Sequence, residues 1–262
     1  NTILWMGLLM VLPSAALYAR QTARTVVPDG MVLIAAGKYQ ALYDNGGDVD
    51  GVAVSAFFVD ENPVTNGEFL TFVMAHPKWQ RSYVSPLFAE SSYLINWAGD
   101  TDLGTVGVDQ PVTGVSWFAA KAFAKSKGNR LPTVAEWEYV AGAGQNSPRG
   151  KDEEDFERNL LILTNQPQPN PLPKVGQSEG NYWGVRDLHG LVWEWVLDFN
   201  SALITGESRA DANLERKLFC GSGVVGASDF TDYTAFMRFA FRGSISASYS
   251  GSNLGFRTVR SL

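Results

Sequence analysis

One block of the sequence, Gly128–Gly144, limits the fold strongly because it fixes the start of a short helix. It reads "GNRLPTVAEWEYVAGAG". Pro132 holds the residue before it in an extended conformation, and Thr133 with Glu136 three residues later predicts a capping box. The preceding stretch "VSWFAAKAFAKSK" predicts another helix, with Ser116 as its N-cap and the first glycine of the block as its stop. The chain must fold around two short, sharply bounded helices.

The rest of the chain has a composition that favours short strands and loops. Its 262 residues include 26 Gly, 8 Trp, 9 Tyr and 15 Phe, and only 18% are charged. This composition is typical of a loop-rich globular domain rather than a helical bundle. The net charge is −6, without a long Lys/Arg run. We therefore expect neither nucleic acid nor an anionic membrane surface as a partner.

The chain offers few residues for redox or metal chemistry. It contains one cysteine, Cys220, so an intrachain disulfide is excluded. The two histidines, His76 and His189, lie far apart in sequence and in dissimilar contexts. We therefore do not expect a mononuclear iron or zinc site built on histidine.

The first twenty residues are apolar from Ile3 to Ala19, and the first charge is Arg20. A helix of this length would span roughly 28 Å, about one hydrocarbon core. We predict that residues 1–20 form an uncleaved signal anchor or transmembrane helix and that the globular domain is exported, either periplasmic or extracellular. A buried helix of the globular domain is the alternative. Arg20 and Arg24 would instead favour a cytoplasmic location for the segment that follows.

Beyond this segment, the pattern predicts a linker at residues 21–30 and a single domain at residues 31–262. "MVLIAAGKYQAL" is typical of a strand pair. "FFVDENPVTNGEFLTFVMAH" predicts a strand, a turn at Asn62–Pro63 and a helix over about residues 65–76. Residues 77–110 have no regular hydrophobic pattern and are rich in aromatic residues, which predicts an irregular segment at the protein surface. Residues 145–179 are polar and proline-rich, which predicts a long loop.

Four stretches carry a family resemblance: "NPVTNGEFLTFV", "QPVTGVSWFAAKAFAKSKGNRLPTVAEWEYVA", "YWGVRDLHGLVWEWVLD" and "GSNLGFRTVR". Together they resemble the formylglycine-generating enzyme, or sulfatase-modifying factor, family, in the family's own order. The resemblance implies an α+β, C-type-lectin-like fold with little regular secondary structure, preceded here by the N-terminal hydrophobic helix. We interpret most of the shared residues as structural, with buried indoles and with arginines that bind buried carbonyls and carboxylates. They are Trp137, Glu138, Trp193, Trp195, Arg130, Arg238, Arg242 and Arg257.

The resemblance also implies a calcium site in "DLHGLVWEW". Its ligands would be the side chains of Asp187 and Glu194 and the backbone carbonyls of Gly190 and Val192. Asp187 stands where the family usually has asparagine, and an all-oxygen set suits a hard cation. The alternative is that Asp187 caps a turn and Glu194 pairs with an arginine.

The family oxidase uses two cysteines, five positions apart, to bind copper and convert a substrate cysteine into formylglycine. Copper(I) is soft, and thiolates are the ligands that hold it. Aligned on the "GSG" turn, the two positions fall near Gly226 and Thr231; aligned on the two following arginines, they fall near Asp229 and Thr234. Neither register contains sulfur, and Cys220 precedes both. We therefore expect no copper and no catalytic residue, and we interpret Cys220 as a small packing residue.

These observations favour a non-catalytic, membrane-anchored binding or scaffold subunit, an accessory component of a multisubunit integral membrane complex. Aromatic loops at residues 83–97 and 233–241 are the candidate contact surfaces. Two alternatives stay open. One is a family enzyme with altered chemistry that uses Cys220 alone or a metal held by oxygen ligands. The other is a lectin-like receptor.

Overall fold

The computed structural model describes residues 26–40, 51–200 and 232–262. Its strands are β1 (Met31–Ile34), β2 (Gly37–Tyr39), β3 (Val52–Val54), β4 (Phe57–Asp60), β5 (Trp193–Glu194), β6 (Leu254–Gly255) and β7 (Val259–Ser261). Its α-helices are α1 (Asn66–Ala75), α2 (Trp117–Ser126), α3 (Val134–Ala141), α4 (Phe156–Asn165) and α5 (Tyr233–Ser244). Short 3-10 helices occupy Pro77–Trp79 and Gly150–Asp152. These short elements match the predicted mixture of helices and strands.

The hydrophobic helix predicted for residues 1–20 lies outside the described residues, as does the first half of the predicted linker. Within the three described ranges, no helix is both long enough and apolar enough to cross a membrane. The membrane anchor therefore stays a prediction from the sequence.

The main sheet has β4 at its centre, with β1 and β7 antiparallel on either side. The first three residues of β4 are buried, as expected for a central strand covered on both faces. β1 and β2 confirm the two predicted strands, but β2 pairs with β3 in a second sheet. Only Ala35 and Ala36 separate them, and a two-residue hairpin turn needs positive φ angles that favour glycine or asparagine. The two strands therefore find different partners.

Helices α1, α2 and α3 begin where the sequence predicts. Thr65 and Thr133 cap α1 and α3 in complete capping boxes, and the side chain of Ser116 caps α2. Gly128 follows α2 in the left-handed region, with a φ of 72°, and its N–H donates to the carbonyl of Lys125. Local capping chemistry therefore sets these boundaries.

The long loop predicted for residues 145–179 is wrong in part, because α4 and the 3-10 helix at Gly150–Asp152 lie inside it. The side chain of Asp155 does not cap α4, and Leu160 is the one buried residue of that helix. The helix packs against α5 instead. Packing against α5 therefore stabilises a helix that has no side-chain cap.

The core is rich in aromatic side chains contributed by α1, α2 and the C-terminal segment. Phe69 stacks on Phe123 with ring centroids 5.8 Å apart, and Phe256 meets Phe69 edge-on at 6.1 Å. All three side chains are buried. Each contributes about 1.5–3 kcal/mol by leaving water. The "GF" of the C-terminal motif is thus part of the core.

The irregular segment 77–110 is anchored rather than loosely attached. Trp79, Tyr93 and Trp97 are buried, the Tyr93 hydroxyl donates to the carbonyl of Trp79, and Trp97 Nε1 donates to Asn66 Oδ1. Other apolar side chains of the same segment point outward. Tyr83, Leu87, Phe88 and Ile95 are 69%, 80%, 44% and 58% exposed, respectively. The segment predicted to lie at the surface therefore has a buried side and an apolar outer side.

Candidate functional site

The short parallel pair β5–β6 brings a buried carboxylate beside a buried arginine. Glu194 lies opposite Gly255, two residues before Arg257. Arg257 donates to both carboxylate oxygens of Glu194 at 2.8–3.0 Å, and both side chains are fully buried. Trp137 Nε1 donates to Glu194 Oε2 at 2.7 Å. We call this group the Glu194 cluster; Glu194 pairs in it with Arg257, the kind of contact that the alternative to the calcium site describes.

The remaining donors of Arg257 bind backbone. Its guanidinium donates to the carbonyls of Asp60 and Glu61 at 3.2 Å and of Arg186 at 2.9 Å. One arginine thus ties β4, the turn before β5 and the C-terminal segment together. The planar guanidinium group holds its donors in a rigid arrangement, which suits this role in a fold whose strands are short.

A second buried carboxylate, Glu138 on α3, accepts from two arginines of α5. Arg238 donates to both of its oxygens at 2.7–3.1 Å, and Arg242 donates to Oε1 at 2.5 Å. Burial opposes ionisation of Glu138, but attraction from the two guanidinium groups lowers its pKa to about 2. We call this group the Glu138 cluster. It holds two positive charges against one negative charge.

A cavity of about 140 Å³ lies between the two clusters. We call it the arginine cavity. Its described lining consists of Trp137, Leu163, Thr164, Gln166, Gln168, Leu188, His189, Gly190, Val192, Trp193, Glu194, Arg238, Phe241, Arg242 and Asn253. The floor is buried at Trp137, Arg238 and Arg242, whereas Gln166 and Gln168 at the rim are exposed. The cavity therefore opens towards solvent on the α4 side.

The predicted calcium ligands are divided between two cavities. Gly190, Val192 and Glu194 line the arginine cavity, whereas Asp187 lines a neighbouring one. Asp187 has a φ of 55° and accepts from the backbone N–H groups of Gly176 and Ser178. Its own N–H donates to Ser178 Oγ at 2.7 Å, so Asp187 fastens a turn.

This arrangement does not fit a calcium shell built on both carboxylates. Calcium needs six to eight oxygen ligands, but N–H donors already occupy the oxygens of Asp187 and Glu194. Across the described residues, His, Cys, Asp and Glu side chains do not gather in any group of three or more that could hold a metal. The calcium site stays a prediction, and a direct test of it is given below.

The two histidines occupy different parts of the fold. His76 caps the end of α1, where Nδ1 lies 3.0 Å from the carbonyl of Phe72. His189 lines both cavities, with Nε2 3.0 Å from the carbonyl of Ala141. Burial, reinforced by repulsion from Arg238, lowers the pKa of His189 to about 4. His189 is therefore neutral at pH 7.

Most of the predicted thiol positions, Gly226, Asp229 and Thr231, lie outside the described residues, as does Cys220. Thr234 is buried in α5, and its hydroxyl donates to Asp232 Oδ1 at 3.1 Å.

The aromatic loop predicted for residues 233–241 is wrong, because those residues form most of α5. Asp232 caps this helix at its start. The four-residue spacing of Arg238 and Arg242 places both side chains on one helix face, where both bind Glu138. Phe241 packs inward against Trp193, with ring centroids 4.7 Å apart. Among the aromatic side chains of this segment, only Tyr233 is exposed, at 52%.

The polar rim of the cavity is not among the residues predicted from the sequence. Gln166 and Gln168 fall in the stretch interpreted as loop, and Gln168 Nε2 donates to the carbonyl of Leu191 at 2.7 Å. The amphipathic pattern of "FERNLLILTN" just before them is the signal that could have placed them beside a packed helix.

Comparison with known proteins places these motifs in context. Residues 16–262 match the family model described as a sulfatase-modifying factor enzyme 1-like domain. A formylglycine-generating enzyme from Streptomyces coelicolor is 28% identical, and the match covers 94% of this chain and 93% of that protein. A Mus musculus protein named inactive C-alpha-formylglycine-generating enzyme 2 is 27% identical over 68% of this chain and 70% of its own length.

A third relative is the serine/threonine-protein kinase pkn1 of Chlamydia pneumoniae, 29% identical over 64% of this chain. The match spans only 28% of that protein, and 24–32% across three Chlamydia relatives. The shared part is thus a fraction of the kinases' length. The family match, in contrast, takes in every residue that the structure describes.

Proposed function

We propose that this chain, which belongs to the family of sulfatase-modifying factor enzyme 1-like domains, uses the domain to bind or hold partner proteins and does not oxidise cysteine. One observation carries the proposal: the whole chain contains a single cysteine. A bis-thiolate copper centre needs two sulfur ligands, and a lone thiol cannot supply them. The name of the mouse relative also describes an inactive protein.

The arginines of the two clusters stabilise the fold. Arg238 and Arg242 hold Glu138 between α3 and α5, and Arg257 holds Glu194 beside three backbone carbonyls. The fold therefore accounts for these arginines without oxidase chemistry.

The partner-binding surface in this proposal is the outer side of residues 83–95. Exposed apolar side chains are concentrated there, while Tyr93 anchors the same segment in the core. An anchored backbone lowers the entropic cost of presenting apolar side chains to a partner. We further propose that residues 1–20 anchor the protein in a membrane, with the domain exported, as an accessory subunit of a membrane complex.

The oxidase alternative is tested with the full chain, copper(I) and a cysteine-containing peptide under air. Oxygen consumption and peptide aldehyde, detected by mass spectrometry, are compared with a copper-only blank and with the Streptomyces coelicolor relative. We expect no signal above the blank. Aldehyde that is lost in Cys220→Ser would establish a single-thiol enzyme. Aldehyde that persists would show an activity that does not need Cys220, and either result overturns the proposal.

The scaffold role is tested by purification from native membranes after mild detergent extraction. A stoichiometric partner is expected, and Leu87→Asp should release it because a charge enters the proposed contact surface. Met74→Asp is the matched control, since Met74 is 61% exposed on α1, outside that segment. Loss of the partner in both variants, or in neither, would contradict the proposed surface. Recovery of the full-length chain without detergent would contradict the anchor.

A further inference from the structure

The arginine cavity carries an excess of positive charge. Arg238 and Arg242 have side chains only 9% and 6% exposed, and they share one carboxylate, Glu138. The other lining carboxylate, Glu194, is neutralised by Arg257, and His189 is neutral at pH 7. The lining and its direct ion-pair partners therefore carry a net charge of about +1.

Acidic groups also lie outside the lining. Asp232, at the start of α5, attracts Arg238 through space, and its carboxylate lies 3.5 Å from the ammonium group of Lys151, which also lies 3.8 Å from the carboxylate of Glu157. Neither Asp232 nor Glu157 lines the cavity itself. A buried guanidinium excess favours an anion, because charge-assisted hydrogen bonds strengthen where water is limited.

The shape of the cavity selects a small ligand with an apolar part. Its volume of about 140 Å³ resembles that of cavities of about 150 Å³ that hold one benzene molecule. Trp193 and Phe241, stacked 4.7 Å apart, line it together with Leu188. Ligand sites commonly combine such apolar walls with a few polar groups that fix orientation.

We propose that the arginine cavity binds a small organic monocarboxylate of about benzoate size, with its carboxylate towards Arg238 and Arg242 and its apolar part against Trp193 and Phe241. The same positive excess disfavours a cation at the backbone carbonyl of Gly190. The proposal concerns a small-molecule site and is independent of the membrane and partner-binding roles.

The first test uses the unmodified full chain and a charge series of probes. Binding of 4-fluorobenzoate, 4-fluorobenzamide and 4-fluorobenzylamine is followed by fluorine NMR at pH 7. We expect the benzoate to bind with a dissociation constant on the order of 1 mM or below. The neutral amide and the cationic amine should bind at least about tenfold more weakly, because they lack the charge-assisted bonds to the arginines. No benzoate binding in this range, or equal binding of all three probes, would overturn the proposal.

The second test locates the site with a matched pair of variants. Leu163 lines the cavity mouth on α4 and is 40% exposed, while its neighbour Ile162 is 51% exposed and is not part of the described lining. Leu163→Trp should narrow the mouth and weaken 4-fluorobenzoate binding at least about tenfold. Ile162→Trp adds the same indole to the surface and should leave binding unchanged. Equal effects of the two substitutions would overturn the location.

Circular dichroism and thermal midpoints check that both tryptophan variants fold. Should Leu163→Trp fail to fold, Gln168→Trp at the exposed rim replaces it in the same comparison. The probe series on the unmodified chain decides the charge preference without any substitution.

Discussion

The Glu194 and Glu138 clusters use the same chemistry but differ in charge balance. The Glu194 cluster pairs one carboxylate with one arginine, both fully buried, and backbone carbonyls accept from the other arginine donors. The Glu138 cluster sets two arginines against one carboxylate and borders the arginine cavity. A closed, neutral pair serves the fold alone, whereas an open, positive cluster can also attract a ligand.

The comparison predicts that Arg257→Met causes the largest loss of stability. The substitution leaves Glu194 as a buried carboxylate without its cation and leaves three backbone carbonyls without this donor. We expect the free energy of unfolding to fall by about 3–5 kcal/mol. Urea unfolding at pH 7 measures it. Lys174→Met, which removes an exposed ion pair with Asp109, is the control and should cost less than about 1 kcal/mol. Similar losses in both variants would contradict the importance of burial.

The Glu138 cluster adds a pH dependence through its neighbour His189. The unfolded chain binds a proton at this histidine near pH 6.5, whereas the folded chain resists protonation until about pH 4. Stability from neutral His189 is therefore present above pH 6.5 and is lost as the pH falls towards 4. The total loss is about 3 kcal/mol.

His189→Gln should remove this acid sensitivity while keeping a donor for the carbonyl of Ala141. Unfolding free energies at pH 7 and pH 4.5 are compared for both proteins. We expect the parent chain to lose more stability than the variant over this interval. Parallel losses would show that His189 is not responsible. Glu138 is present in both proteins, and its contribution to stability is lost mainly below this interval, as the pH falls from its unfolded pKa of 4.5 to its folded pKa of about 2.

Arg242→Met should cost less than Arg257→Met, because it removes the charge excess and leaves a neutral pair. Arg238 still donates to both oxygens of Glu138, although the contact of Arg242 with the Trp137 ring at 4.9 Å is lost. We expect a loss of about 1–2 kcal/mol in urea unfolding at pH 7. A loss as large as that of Arg257→Met would mean that both clusters depend equally on every cation and that the charge excess has no special role.

Sequence reasoning located the helix starts because capping is local. Thr133 and Glu136 are three residues apart, and their hydrogen bonds form within one turn. The partners of the arginines could not be assigned in this way. Arg238 and Glu138 are separated by 100 residues, and Arg257 and Glu194 by 63. Which arginine meets which carboxylate depends on how β5, β6 and α5 pack, and the sequence indicates only that such pairs form.

The same distinction explains α4 and the cavity. Capping does not mark the start of α4, and packing against α5 stabilises it, so the amphipathic pattern of its sequence is the one local signal that separates it from the loop around it. The arginine cavity depends in turn on where α4 and α5 lie. In contrast, the family motifs identified the domain directly, because they combine several local signals in a fixed order.

Calcium should produce the smallest effect, and it separates the two interpretations of Asp187 and Glu194. A site formed by these side chains with Gly190 and Val192 would stabilise the folded chain as calcium binds. In the arrangement described here, Arg257 neutralises Glu194, and backbone N–H groups hold Asp187. We therefore expect 1 mM calcium to change the free energy of unfolding by less than about 0.4 kcal/mol relative to EDTA, which is the stabilisation expected at a ligand concentration equal to the dissociation constant. A larger increase that is lost in Asp187→Ala would establish the calcium site and require both carboxylates to exchange their present donors for the ion.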